Sequence, residues 1–236
     1  MNTFTKPFKT LALTAALLSA TTAIATPSNE STSKLLTANF DARQVIKIEA
    51  GDFHFVPGQI APIHTHAAPA IGYVAKGEIL YQVEGEKTQL LREGDAFFEP
   101  VGPRILRFDN ASATEEAIFI DFNLQQQDEP FIVFEKALTG KIDRRTLPTT
   151  DLKGQQVDQV DVFISELEPN GQKQLDKKEV TLAYVAEGVV TLKSKGEKKR
   201  RIKAGETFSL ASGNTQVQIS NASSEVSAKV VAFYLR

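Results

Sequence analysis

Tyr73-Val74-Ala75-Lys76-Gly77 recurs as Tyr184-Val185-Ala186-Glu187-Gly188, and the copy runs well beyond the pentapeptide. Residues 72–124 align with residues 183–235 at a constant offset of 111, without a gap and with 16 identities in 53 positions. Gly85-Glu86-Lys87 returns as Gly196-Glu197-Lys198. Gly94-Asp95-Ala96-Phe97 returns as Gly205-Glu206-Thr207-Phe208, and Asn110-Ala111-Ser112 as Asn221-Ala222-Ser223. A constant offset over such a length marks the duplication of one structural unit.

The unit is β. Residues 45–56, 71–83, 89–99 and 117–124 hold β-branched and aromatic residues in short runs, punctuated at Lys76-Gly77-Glu78, Glu84-Gly85-Glu86 and Arg92-Glu93-Gly94. The second copy keeps this punctuation at Gly188, Gly196 and Gly205. No segment carries a long helical period with caps, and residues 35–41 and 147–152 have room for a turn of helix at most. Many short, evenly spaced strands predict an all-β chain of sandwiches or barrels.

The chemistry-bearing signal is His64-Thr65-His66, two of only three histidines in the chain. On a strand, a one-residue gap puts both imidazoles on one face. Such a pair can hold a transition metal, since imidazole suits zinc, copper, iron and nickel. The chain has no cysteine, so thiolate ligands and disulfides are excluded. There is also no nucleophile paired with a base and no phosphate-cradling glycine loop.

These residues carry a resemblance. Gly58, His64, His66 and Gly77 are spaced like the first cupin motif, and Gly94, Pro100-Val101-Gly102 and Asp109-Asn110 like the second. The resemblance covers residues 43–125 and extends through the repeat to 151–236. The chain is therefore identified as similar to cupin-2 proteins, in the form of a bicupin. The implied fold is two jelly-roll barrels in tandem, produced by the internal duplication.

The resemblance also implies a metal site made of two histidines and a glutamate from the first motif and a third histidine from the second. Here the glutamate position falls on Ala70 or Ile71, and the third histidine position on Ile105. The second copy has Leu175, Lys177, Thr181 and Gln216 at the corresponding places and no imidazole. That barrel is expected to carry no metal and to serve packing, dimerisation or stability. For His64 and His66, a metal site with open positions stands beside the alternative of retained, hydrogen-bonded interior histidines.

Further pocket candidates are His54, Ala70, Tyr73, Glu78, Gln82, Glu99 and Ile105. Alternation in Asp52-Phe53-His54-Phe55-Val56 sends the phenylalanines to the core and His54 to solvent or a neighbouring sheet. Glu99 could act as a ligand, or as a base if desolvated, but a strand-end acid in water is the simpler reading. Arg104 and Arg107 flank Ile105, where they either hold an anionic ligand or lie on the surface. Ile63, Ala70, Ile71, Val74, Phe97 and Ile105 would form an apolar wall for a mostly hydrophobic small molecule. Lys193, Lys195, Lys198, Lys199, Arg200, Arg201 and Lys203 read as a solvated hairpin around Gly196 that protects a sheet edge. Asn-Ala-Ser matches a glycosylation sequon, but its recurrence in both copies favours a turn in which Asn takes left-handed geometry.

The amino terminus reads as an export signal: Lys6 and Lys9, an apolar run over 11–25, and Ala23-Ile24-Ala25 as the cleavage site. A membrane anchor is the rival, but the run is short and rich in Thr, Ser and Ala. Cleavage would remove two lysines and no acid, moving the formal charge from −2 to −4, which argues against nucleic acid as a partner.

The expected organisation is a signal peptide (1–25), a flexible lead-in (26–42), an N-terminal cupin domain (43–125), a linker or interdomain strand (126–150) and a degenerate C-terminal cupin domain (151–236). The expected protein is exported and periplasmic or secreted, free of the membrane after cleavage, and a homodimer or a face-to-face pair within one chain. It binds a small molecule in the first barrel with a divalent ion (iron, manganese, nickel, copper or zinc) on His64 and His66. If it is catalytic, the resemblance implies dioxygenase-like or isomerase-like chemistry. The alternative is a non-catalytic binding or structural bicupin with no metal.

Overall fold

The computed structural model describes Met1 and residues 30–137, 141–175, 179–213 and 216–236. The apolar run at 11–25 and Lys177 lie outside the described residues. Among the described residues there is no helix. The first repeat supplies β1 (Glu30–Phe55), β2 (His64–Thr65), β3 (Ala70–Lys76), β4 (Glu78–Val83), β5 (Gln89–Arg92), β6 (Ala96–Glu99), β7 (Ile105–Asn110), β8 (Ala117–Gln125) and β9 (Val133–Phe134). The second supplies β10 (Asp143–Leu167), β11 (Gln172–Leu175), β12 (Val180–Glu187), β13 (Val189–Ser194), β14 (Arg200–Lys203), β15 (Thr207–Leu210), β16 (Val217–Asn221) and β17 (Ala228–Leu235).

An eight-stranded sheet in the order β15-β12-β17-β10-β1-β8-β3-β6 runs through the whole molecule, four strands from each repeat. A five-stranded sheet, β5-β4-β7-β2-β9, closes the first barrel, and a four-stranded sheet, β11-β16-β13-β14, closes the second. Each barrel therefore has its own interior. The first is built on Phe53, Phe97, Phe108 and Phe119, the second on Val185, Leu192, Phe208 and Ile219. A third core joins the two barrels. Ile71, Tyr73, Ile120 and Phe122 of the first meet Leu182, Tyr184, Val231 and Phe233 of the second.

The duplication is visible as an approximate two-fold relation. Phe122 packs on its own counterpart Phe233, with ring centroids 4.8 Å apart, and Tyr73 lies 6.3 Å from its counterpart Tyr184. The face-to-face pairing of barrels is thus made within one chain, by a sheet whose strands are buried on both faces. β8 shows this: Phe119 faces the first barrel while Ile120, Phe122 and Leu124 face the joining core. Gly77 (φ 78°) and Gly188 (φ 77°) make the same turn in each copy; a Cβ at Gly77 would stand 2.7 Å from the Glu116 carbonyl oxygen.

Four expectations change here. From Glu30 onward the stretch expected as a flexible lead-in is paired strand, with Glu30 opposite Leu167 and Asn39 opposite Gln159. Its polar side chains alternate with Leu36 and the buried Ala38, and a strand needs no more than that once a long partner is present. Residues 35–41 and 147–152, allowed a turn of helix, both lie within the β1–β10 ladder. The stretch 126–150, expected as a linker or interdomain strand, also contributes to the first barrel: β9 and the start of β10 join it, with Phe131, Ile132 and Ile142 packed on its core. Asn110 and Asn221 do not take left-handed geometry, since Asn170 is the one non-glycine residue with positive φ among those described. Instead, the Asn110 amide is buried and donates to the carbonyls of Phe55, Val56 and Glu115. The Asn221 amide does the same to Leu167, Glu168 and Val226.

Candidate metal centre

β2 is two residues long but is held on both sides. His64 stands opposite Ile105 on β7 and Phe134 on β9, and Thr65 opposite Val133. His66 follows with a bridge to Val101. Alternation turns both imidazoles into the first barrel, where they are 4% and 2% exposed. Their ring centroids lie 5.3 Å apart.

The third member is Glu99, only 3% exposed. On β6 Phe97 and Glu99 share the inward face, so the ring that fills the barrel carries the carboxylate in with it. Glu99 Oε1 lies 3.6 Å from His64 Nε2, and Oε2 lies 3.2 Å from His66 Nε2. One donor atom from each of the three residues fits within 4.8 Å of the others. Glu99 stands directly opposite Ala70 across the β3–β6 ladder. The reading of Glu99 as an acid in water is therefore overturned: β6 ends the eight-stranded sheet, but Glu99 lies on its barrel-facing side with the buried Phe97.

The electrostatics fit a cation. His64 Nδ1 lies 2.8 Å from the Pro62 carbonyl oxygen and donates to it, which leaves the Nε2 lone pair facing Glu99. His66 Nδ1 and Nε2, Glu99 Oε1 and Asp121 Oδ1 are buried without a hydrogen-bond partner. The short His66–Glu99 approach is therefore an ion pair rather than an aligned hydrogen bond. Orphaned polar atoms this deep need an explanation, and an ion between them supplies one. Burial opposes charge on Glu99, but the neighbouring His66 charge outweighs it and holds the carboxyl below its usual range. Burial likewise opposes the His66 cation, and Glu99 overrides it, raising that imidazole. Asp121, one turn of the pleat beyond Phe119 on β8, is pushed the other way, kept protonated by burial and by the Glu99 charge. Two nitrogens and a carboxylate oxygen form the donor set of a two-histidine, one-carboxylate facial triad with open positions.

The remaining candidates disperse. Ala70 and Ile105 stay beside the site as fully buried wall residues. His54 lies on the outer side of β1, paired with Glu116 at 3.2 Å and Asp52 at 3.4 Å. Tyr73 and Ile71 face the joining core rather than the barrel, because β3 is buried on both faces. Glu78 pairs with Arg92 at the surface, and Gln82 holds its own hairpin through Thr88 and the Glu86 carbonyl. Arg104 is engaged by Glu84 and Glu135, and Arg107 by Asp109. Val74 and Phe97 line the barrel core, and Ile63 is half-buried. All seven basic residues from Lys193 to Lys203 are exposed around β14, an edge strand.

Three contributions escaped the sequence reading: Glu99 as an interior group, Asp121, and the cover formed by Phe131, Ile132, Phe134 and Ile142. A small inner cavity next to the centre is lined by His64, Glu99 and Asp121, with Phe53, Ile132, Phe134 and Ile142 above it. The apolar run Phe131-Ile132-Val133-Phe134 inside a supposed linker was the available signal.

The second barrel has none of this. The places of His64, Glu99 and Asp121 are taken by Leu175, Leu210 and Ala232, with both leucines packed in its core. Thr181, at the place of Ala70, is buried, and Gln216, at the place of Ile105, is exposed.

Residues 45–123 match the cupin domain family. No curated protein matches the chain in sequence. Among solved structures, AerE from Microcystis aeruginosa is similar with a TM-score of 0.57 at 12% identity, covering 86% of this chain and 98% of that one. Salicylate 1,2-dioxygenase from Pseudaminobacter salicylatoxidans gives 0.56 at 14%, covering 80% and 71%. Vicilin from Corylus avellana (hazelnut) gives 0.58 at 11%, covering 80% and 74%. At these identities the likeness is one of fold.

Proposed function

Since residues 45–123 match the cupin domain family and the chain is built as two jelly-roll barrels, we propose that its first barrel is a metal-dependent site for a small molecule, with His64, His66 and Glu99 as the protein ligands. The observation that carries the reading is the convergence of three buried donor atoms within 4.8 Å, on a centre where both His66 ring nitrogens and Glu99 Oε1 are buried without a hydrogen-bond partner. A divalent transition ion there would supply Lewis acidity toward an oxygen-bearing group, as in dioxygenase-like or isomerase-like chemistry. The chain's own residues do the rest. The Pro62 carbonyl fixes the His64 ring, the Phe53, Phe119 and Phe134 wall excludes water, and Asp121 presents a protonated carboxyl beside the centre. The second barrel is the structural half, its site filled by leucine. The amino-terminal run supports export to the periplasm, which a mature chain beginning at Thr26, read by intact mass, would test.

The deciding experiment is metal analysis of untagged mature protein after reloading in turn with iron, manganese, nickel, copper and zinc. One ion per chain is expected for at least one metal, lost in a His64→Ala/His66→Ala variant. Substoichiometric metal after every reloading would overturn the proposal.

A further inference from the structure

Beyond the cover residues lies a second, larger chamber. It shares Phe53, Ile132, Phe134 and Ile142 with the inner cavity, and adds Phe131, Lys141 and Arg144. The inner cavity has a volume of about 20 Å³, and the outer chamber about 420 Å³. A space near 15 Å³ holds about one water-sized particle, so no organic body fits inside the inner cavity. The outer chamber falls in the range of about 300–1,000 Å³ typical of small-molecule sites. A ligand must therefore rest outside the phenylalanine throat and send at most one atom through it.

Among the described residues lining the outer chamber, Lys141 and Arg144 are the charged ones, and the other five are phenylalanine or isoleucine. The Arg144 guanidinium lies 4.0 Å from the Phe131 ring centroid and 5.6 Å from that of Phe53, so two aromatic faces hold it flat. One of its nitrogens, Nη2, donates to Glu49 at 2.7 Å, while its buried Nε has no partner. Glu49 is itself shared with Lys47 at 3.6 Å. Lys141 is exposed and has no acidic partner among the described residues. Arg104 and Arg107, the cations nearer the sequence motif, are engaged by acids and do not line this chamber.

We infer that the outer chamber takes a small carboxylate with a flat or branched apolar body, its carboxylate held at Lys141 and Arg144 and its body laid against Phe53, Phe131 and Phe134. That the far end of such a ligand meets a metal centre rests on the function proposed above; the carboxylate subsite itself does not. A guanidinium stacked on a ring presents a planar edge to a planar anion, and a charge-assisted bond of this kind is about twice as strong as a neutral one. The neutral apolar walls select against a strongly hydrated ligand and for one that is apolar away from its charge.

The test compares benzoate, phenylacetate and isovalerate with their own amides by calorimetry, on metal-free and metal-loaded mature protein. At least one acid is expected to bind about tenfold or more tightly than its amide, with and without metal. That preference should fall several-fold in Lys141→Glu and vanish in Lys141→Glu/Arg144→Gln. Lys141 is exposed, so Lys141→Glu reads the charge even where replacing Arg144 disturbs Glu49 and Phe131. A preference that persists in the metal-free protein supports the subsite even if the metal proposal fails. A preference seen only with metal and indifferent to Lys141→Glu would place the carboxylate on the ion and overturn the inference. Equal binding of acid and amide, or binding of neither, would overturn it as well.

Discussion

Ala70 on β3 and Glu99 on β6 are direct partners across an antiparallel ladder, and Glu99 points into the corner held by His64 and His66. Directly opposed residues carry their Cβ atoms about 4.5–5.5 Å apart on the same face. A carboxylate can therefore cross from one strand to the other and still reach the same two imidazoles. The motif position that would ordinarily hold an acid holds alanine, and the acid stands one strand over.

This relation can be tested by exchange. Glu99→Ala is expected to weaken metal binding by more than the 10–100-fold typical of losing a supporting residue around a ligand. Ala70→Glu/Glu99→Ala should recover a substantial part of it, measured as dissociation constants by competition with a chelator. If the double variant binds no better than Glu99→Ala, the cross-strand equivalence is refuted.

Metal uptake should depend on pH through His66. Its imidazole is raised above the ordinary value of 6.5, with Glu99 overriding the effect of burial. An ion must displace that proton, so affinity is constant well above the raised value and falls by about tenfold per pH unit below it. The pH at which the fall begins should lie above 6.5 in wild type. It should shift downward in Glu99→Gln, whose residual binding loses the neighbouring charge.

Asp121 has the opposite linkage in the metal-free protein. Burial and the Glu99 charge keep its folded carboxyl protonated above its ordinary value of 3.8. The folded state thus binds more protons than the unfolded state, and stability falls as pH rises from the unfolded value toward the raised one. Asp121→Asn removes that penalty, so it should gain about 1–3 kcal/mol near pH 8 and little near pH 3. Denaturant unfolding at the two pH values reads the difference; an equal effect at both would sink the assignment.

The joining core should be strongly coupled. Phe122 and Phe233 are duplicates of one another in contact at 4.8 Å. Truncating either to alanine should cost about 3–5 kcal/mol. The double variant should cost less than the sum, by about 0.5–1.5 kcal/mol of ring-to-ring coupling. Strict additivity would show that the two barrels do not rely on this contact.

Asn110 anchors the loop between β7 and β8. Its amide serves three carbonyls and its oxygen accepts from the Ser112 N–H at 2.9 Å. Asn110→Ala leaves those groups unpaired and should destabilise by on the order of 3 kcal/mol, whereas Ser112→Ala should cost about 1 kcal/mol. Thermal melts of both variants check the ranking.

Much of the fold was legible in the chain. The offset of 111, the glycines at Gly77, Gly94, Gly188 and Gly205, and the alternation of Ile79, Tyr81 and Val83 are local features that repeat. The site was legible in part. His64 and His66 announce themselves by spacing, and Phe97, read as part of the apolar wall, shares its face with Glu99 two residues on, but that this face stays dry as far as Glu99 depends on the strands packed over it. Asp121 was hidden because β8 is buried on both faces, so no alternation separates its two sides. Tyr73 was misplaced for the same reason on β3.

The sequence by itself determined the duplicated β unit, the loss of histidines from the second copy and the position of the imidazole pair, because each depends on period or spacing along one strand. Only the tertiary structure decided that Glu99 takes up the place left by Ala70, that β1 and β10 weld the barrels through a shared sheet, and that Phe131, Ile132, Phe134 and Ile142 roof the site. Those outcomes depend on register between strands distant in sequence, and register is fixed by the burial of whole faces rather than by any residue read alone.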